Sequence, residues 1–311
     1  MDWSSAHVHL LLNHVPTIGF AIGIALFAFG LLVRSDHLRV AGLVTLVGIA
    51  LIAIPVYATG SGAQLQLCGS LAPGVPCEDP GVSRVLIDMH ESLAFIAYLL
   101  LVLVGGLAWL GLWQFRRLRS LPTWNAVAVL GLALVAFAVT ARAAAVGGEI
   151  RHSEIRVTVV AAVPPLGERI AETINNSVGL WAANEALHLI GLALLVAVVL
   201  VVDLKVLGWL PGLTYAALDR LLPWGMLGFG VNAVTGMFFF LALPAAYAVN
   251  TMFQWKLAFL VAAGVNLLAF TFDDAWGREG EPAPLYSRAL ASSALVLCVA
   301  VMFFGSVLAF V

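Results

Sequence analysis

Charge is the scarcest thing in this sequence. Only 10% of its 311 residues are Asp, Glu, Lys or Arg, and 15 basic residues against 17 acidic ones leave a net charge of −2. A soluble domain ordinarily carries more than twice that charged share, so too little polar surface exists here to keep a globule dissolved. No basic excess is present with which to hold nucleic acid. Disorder is excluded as well, because 62% of the residues are hydrophobic. The short motifs of familiar soluble chemistry are missing too: no nucleotide-binding glycine loop, no Ser/His/Asp order, no Cys-x-x-Cys pair. The nearest approach, Gly60-Ser61-Gly62, ends an apolar helix and has no strand before it. No basic stretch opens the chain and acidic Asp2 follows the first residue, so no cleavable signal peptide is expected.

What the chain does contain is apolar runs of about 20 residues, repeated along its length, as bilayer spans require. The runs are continuously apolar and lack ten-residue alternation, which favours helices over a barrel. The expected fold is an all-α polytopic membrane protein of about eight helices, at roughly 16–33, 39–58, 85–112, 122–147, 182–203, 222–244, 253–272 and 287–310. Pro16, Pro122 and Pro223 sit near helix starts, where a missing N–H costs nothing, and Ser83 and Ser177 are placed to cap. Two four-helix units follow, residues 1–150 and 182–311, joined by an outer segment at 151–181.

Orientation is read from the cations. One side carries Arg34, Arg39, Arg116, Arg117, Arg119, Lys205, Arg220, Arg278 and Arg288; the other carries Arg84, Arg142, Arg151, Arg156, Arg169 and Lys256. The first side is the richer, so both termini are expected outside, in a multi-pass protein of a bacterial inner membrane. Cys68 and Cys77 then share an outward loop with Gly and Pro between them, and can either close a disulfide or remain two thiols; Cys298 reads as a small core residue. A short internal likeness, His90-Glu91-Ser92-Leu93-Ala94-Phe95 against Gln254-Trp255-Lys256-Leu257-Ala258-Phe259, leaves a parallel repeat open.

Histidine is where chemistry is expected. His7, His9, His14, His90, His152 and His188 all map to the outer side, and four of them, His14, His90, His152 and His188, fall at one shallow level. Ionisable groups at membrane depth are costly and point to a functional site. His7 and His9 read instead as headgroup-bonding residues at the interface. Glu149 with His152 and Glu185 with His188 form two Glu-x-x-His pairs, the ligand pattern of di-metal helix bundles, with Glu91 and His90 as further donors. Haem competes with that reading. A b-type haem takes two neutral imidazoles on facing helices, and its propionates need cations such as Arg142, Arg151 or Arg156. Arg142 lies inside the apolar run TARAAAVGG, where its charge calls for a partner.

In the first half, His14 with Pro16 opens one helix, Thr59-Gly60 closes the next, His90 opens the third and Gly147-Gly148-Glu149 closes the fourth. This order resembles a family of uncharacterised bacterial four-helix membrane proteins that accompany electron-transfer components. In the second half, the stretches LHLIGLALL and VVDLKVLG, with His188, Asp203 and Lys205, precede LPWG, VTG and KLAF. That half resembles another uncharacterised membrane family, itself similar to copper resistance protein D and cytochrome b561-type bundles. The resemblance implies haem b or copper handling with His188 as a ligand.

The expected function is a haem-b electron-transfer subunit, a component of a larger complex, passing electrons from quinol to an outward-facing carrier protein. His90 paired with His14 or His152 would be axial ligands, His188 a further ligand and Arg142 the propionate partner. The alternatives are an outward di-iron or copper site built from Glu91, Glu149, His152, Glu185 and His188, and a transporter or structural subunit without cofactor.

Overall fold

A computed structural model describes residues 4–72, 75–156, 164–273 and 280–308; Arg278, one of the cations used for orientation, lies outside them. Every regular element among the described residues is helical. The first half runs α1 (Ser5–Leu12), α2 (His14–Leu32), α3 (Asp36–Cys68), α4 (Arg84–Leu118) and α5 (Thr123–Arg151). A one-turn 3-10 helix (Ser153–Ile155) and α6 (Leu166–Asn175) connect it to the second half. There follow α7 (Val178–Val206), α8 (Tyr215–Asp219), α9 (Leu222–Ala242), α10 (Pro244–Ala248), α11 (Thr251–Phe272) and α12 (Leu285–Val307). Eight stretches are long and apolar enough to cross a bilayer: α1 with α2, α3, α4, α5, α7, α8 with α9, α11 and α12. The chain is a multi-pass, all-α membrane protein.

Most of the expected helix ends agree with the structure to within about one turn. The second span does not. It continues past Pro55 and Thr59-Gly60 to Cys68. Proline removes one helical hydrogen bond, yet the helix goes on, and Thr59 Oγ1 adds a bond to the Pro55 carbonyl at 2.8 Å. It stops at Gly69, whose φ of 67° only glycine adopts freely, and whose N–H donates to the Leu65 carbonyl. Cys68 and Cys77 are joined by a disulfide, which fixes the loop that follows. The 35 residues of α4 span about 52 Å, well beyond the ~30 Å of hydrocarbon. Its first turns, the end of α3, the loop and α6 therefore build a cap beyond the bilayer at the disulfide-bearing end.

Lipid is as apolar as leucine, so these helices are held by close packing and polar bonds rather than by hydrophobic burial. Gly42 shows the closeness: a Cβ there would lie 2.6 Å from the Phe27 backbone nitrogen. In the first unit α2, α3, α4 and α5 pack in sequence, and α2 meets α5 to close the ring. The second unit is more open. There α7 packs on α9 and α12, and α12 on α11, but α9 and α11 do not approach closely. One continuous core joins the units, with Phe95, Tyr98 and Val104 of α4 against Phe229, Met237 and Phe240 of α9. Polar bonds cross between them at three depths. Ser5 Oγ donates to the Ala248 carbonyl, Tyr98 Oη to the Ala233 carbonyl, and Trp109 Nε1 to Thr271 Oγ1. Outward-facing residues such as Ile18, Phe29, Ile190, Val296 and Phe303 are apolar, as lipid contact requires.

Candidate functional site

The histidines expected to converge do not. His14 is the first residue of α2 and is exposed. His152 follows the end of α5, exposed, and pairs through Nδ1 with Glu154 Oε1 at 2.9 Å. Arg142 and Glu185 are exposed on α5 and α7. Glu149 is buried at the end of α5. His188 is half-buried against α9, with Nδ1 2.8 Å from Thr235 Oγ1 and its ring edge-on to Phe239. Among the described residues no three of His, Cys, Asp and Glu gather as a metal-ligand set, so Glu91, Glu149, His152, Glu185 and His188 are not brought together.

His90 and His9, on α4 and α1, are held in matching ways. His90 stands two turns into α4 and leans on α5, where its Nδ1 lies 2.8 Å from the Ala143 carbonyl oxygen. Its ring lies over Gly147, at which a Cβ would come within 3.0 Å of His90 Cε1. His9, in the second turn of α1, rests on α3. Its Nδ1 lies 3.0 Å from the Val56 carbonyl oxygen and 3.4 Å from Thr59 Oγ1, and its Cε1 faces Gly60. The two rings are within Coulombic range of one another.

Their hydrogen bonds define the available chemistry. A carbonyl oxygen only accepts, so the proton of a neutral ring must sit on Nδ1 in both His9 and His90. The same holds for His188, because Thr235 Oγ1 already donates its proton to the Val231 carbonyl and can only accept from the imidazole. In each ring Nε2 then presents a lone pair, and it has no hydrogen-bond partner among the described residues. A backbone carbonyl behind Nδ1 is the usual means of orienting a metal-binding imidazole and raising its basicity. Two such rings stand on α1 and α4 at the same end of the four-helix ring, one against α3 and the other against α5.

A cap covers the same end. Arg84 is buried, and its guanidinium donates to Asp88 Oδ1 at 2.8 Å and to the Ser70 and Leu71 carbonyls. Arg156 donates to the Glu149, Ile150 and Gly81 carbonyls, and Arg151 pairs with Asp79. Two of the three arginines expected beside propionates therefore tie the disulfide loop to the end of α5. Glu91 points toward α6, with Oε1 2.7 Å from where a Gly167 Cβ would stand and Tyr57 Oη 3.7 Å from the same point. Burial, with Glu172 and Asp88 nearby, pushes the Glu168 carboxyl on α6 above its ordinary range, against the opposing pull of Arg84.

The chain matches no family model, no curated protein and no solved structure. Its function must be argued from its own residues.

His9, expected to bond headgroups, instead lies against α3. A signal for it existed. The buried stripe of the first span is Pro16, Phe20, Gly23, Phe27 and Gly30, and one heptad before Pro16 stands His9. His14 is out of phase with that stripe.

Proposed function

We propose that the chain is the membrane subunit of an electron-transfer system, and that His9 and His90 are the axial pair for a b-type haem at the disulfide-bearing end. The supporting observation is the matched pair of imidazoles, each with Nδ1 on a backbone carbonyl and Nε2 without a partner. Donor type and tautomer fit the iron of a b-type haem, which takes two neutral imidazole nitrogens. The glycines at Gly60 and Gly147 fit as well, because each leaves its ring free to lie flat against a neighbouring helix. When bound, haem iron supplies one-electron exchange. The protein's part is to hold the rings, keep water out with the cap and set a low dielectric. Quinol as donor and an outward-facing carrier as acceptor complete the reading, in a bacterial inner membrane with the cation-poor, disulfide-bearing end outside.

The test is an absorption spectrum of the purified full-length protein supplied with haem. A Soret band is expected, lost in His9→Ala and in His90→Ala and retained in His14→Ala and His152→Ala. A band that survives His9→Ala overturns the pairing. Stoichiometric copper without a Soret band replaces haem by copper on the same two rings.

A further inference from the structure

The gap between α9 and α11 is a cavity of about 60 Å³. A single water needs roughly 15 Å³ of such space, so this one accommodates several waters or the head of a larger molecule. Its walls are aliphatic and aromatic except for Asp203, Asn266 and Cys298. Asp203 is 2% exposed, its Oδ2 is sealed without a hydrogen bond, and no charged group pairs with it among the described residues. A carboxyl group in that position is expensive unless something meets it. Asn266 uses its amide protons on the Leu290 carbonyl and on Ser293 Oγ, which leaves its carbonyl oxygen as an acceptor. Asn266 therefore asks for a donor, and the Asp203 carboxyl for a hydrogen-bond partner.

Placement narrows the occupant. Asp203 lies in the last turn of α7, at the end opposite the disulfide, while Leu192 lines the same cavity eleven residues, or about 17 Å, nearer the disulfide. The floor is buried: Val198, Val202, Phe229 and Phe270. The half-exposed lining residues sit on α7, α11 and α12, including Val199, Ala263 and Val301, so the cavity opens sideways at bilayer depth rather than toward water. We propose that it binds a lipid-soluble amphiphile whose hydrogen-bond-donating head meets Asp203 and Asn266 and whose apolar body lies along α7 toward Leu192. This site is separate from the imidazole pair and does not depend on it. Two sources carry the required chemistry: a hydroquinone carrier and a hydroxyl-headed glyceride.

Cys298 gives the readout. It lines the cavity and is the free thiol of the chain, Cys68 and Cys77 being bonded. In the full-length protein held in lipid nanodiscs, an alkyl hydroquinone or a monoacylglycerol is expected to slow alkylation of Cys298 by N-ethylmaleimide in a saturable way. The matched quinone, which has no O–H donor for Asn266, protects less well. Asp203→Ala raises the half-protecting concentration about tenfold, the effect of losing one buried hydrogen bond. Asp203→Asn, which keeps the shape, gives a smaller rise. Helical circular dichroism and an unchanged thermal transition confirm that both variants fold. Protection by the hydroquinone alone assigns a redox carrier and protection by the glyceride alone assigns a lipid. No protection by either, or unchanged protection in Asp203→Ala, overturns the proposal.

Discussion

At the scale of single residues, the glycines beside the imidazoles make the sharpest prediction. A Cβ at Gly147 would lie 3.0 Å from His90, closer than ordinary contact, whereas one at Gly60 would lie 3.5 Å from His9. Gly147→Leu should displace the His90 ring and abolish cofactor absorbance while leaving circular dichroism intact; Gly60→Ala should preserve both. Equal spectra for the two variants would show that the ring positions are unimportant. His90 was legible from the sequence because it lies in the first turns of a strongly apolar helix. The His9 partner was obscured because polar residues near a terminus ordinarily bond headgroups, and only the phase of the Phe20, Phe27 and Gly30 stripe distinguishes it from His14.

At the scale of elements, the cap divides into strong and weak ties. Arg84 and Asp88 are both 7% exposed, so Arg84→Ala leaves a buried carboxylate unpaired and should cost about 3–5 kcal/mol. Arg151 and Asp79 are half-exposed, and Arg151→Ala should cost less than about 1 kcal/mol. Amide hydrogen exchange in residues 75–83 measures both. Replacing Cys68 and Cys77 by serine removes a short loop constraint of about 2–3 kcal/mol and should loosen the same amides without disturbing the spans. Helix α6 should respond to pH. The Glu168 carboxyl is raised in the folded state, so its contribution to docking is present below its unfolded value and lost as pH rises through the folded one. Protection of α6 should therefore be greater in mild acid, and Glu168→Gln should remove the difference. The spans themselves were legible, since twenty apolar residues in a row admit few alternatives. The continuation of α3 beyond Pro55 was not, because a proline followed by Thr59-Gly60 ordinarily reads as a helix end.

At the scale of the molecule, composition announced the membrane, but nothing in it announced how the two halves meet. Their union depends on packing and on bonds between residues far apart in sequence, such as Tyr98 with Ala233. Tyr98→Phe and Trp109→Phe should each lower stability by about 1 kcal/mol. The two sites are eleven residues apart on α4, about 17 Å, so the double variant should equal the sum in thermal denaturation. A clear departure from additivity would mean that the halves separate as a unit. The three cross-links have a mechanical consequence. A carrier that works by rocking one bundle against the other would have to break and remake Ser5–Ala248, Tyr98–Ala233 and Trp109–Thr271 in every cycle, at top, middle and bottom together. Such a frame suits a job in which electrons or small lipids move and the helices stay still.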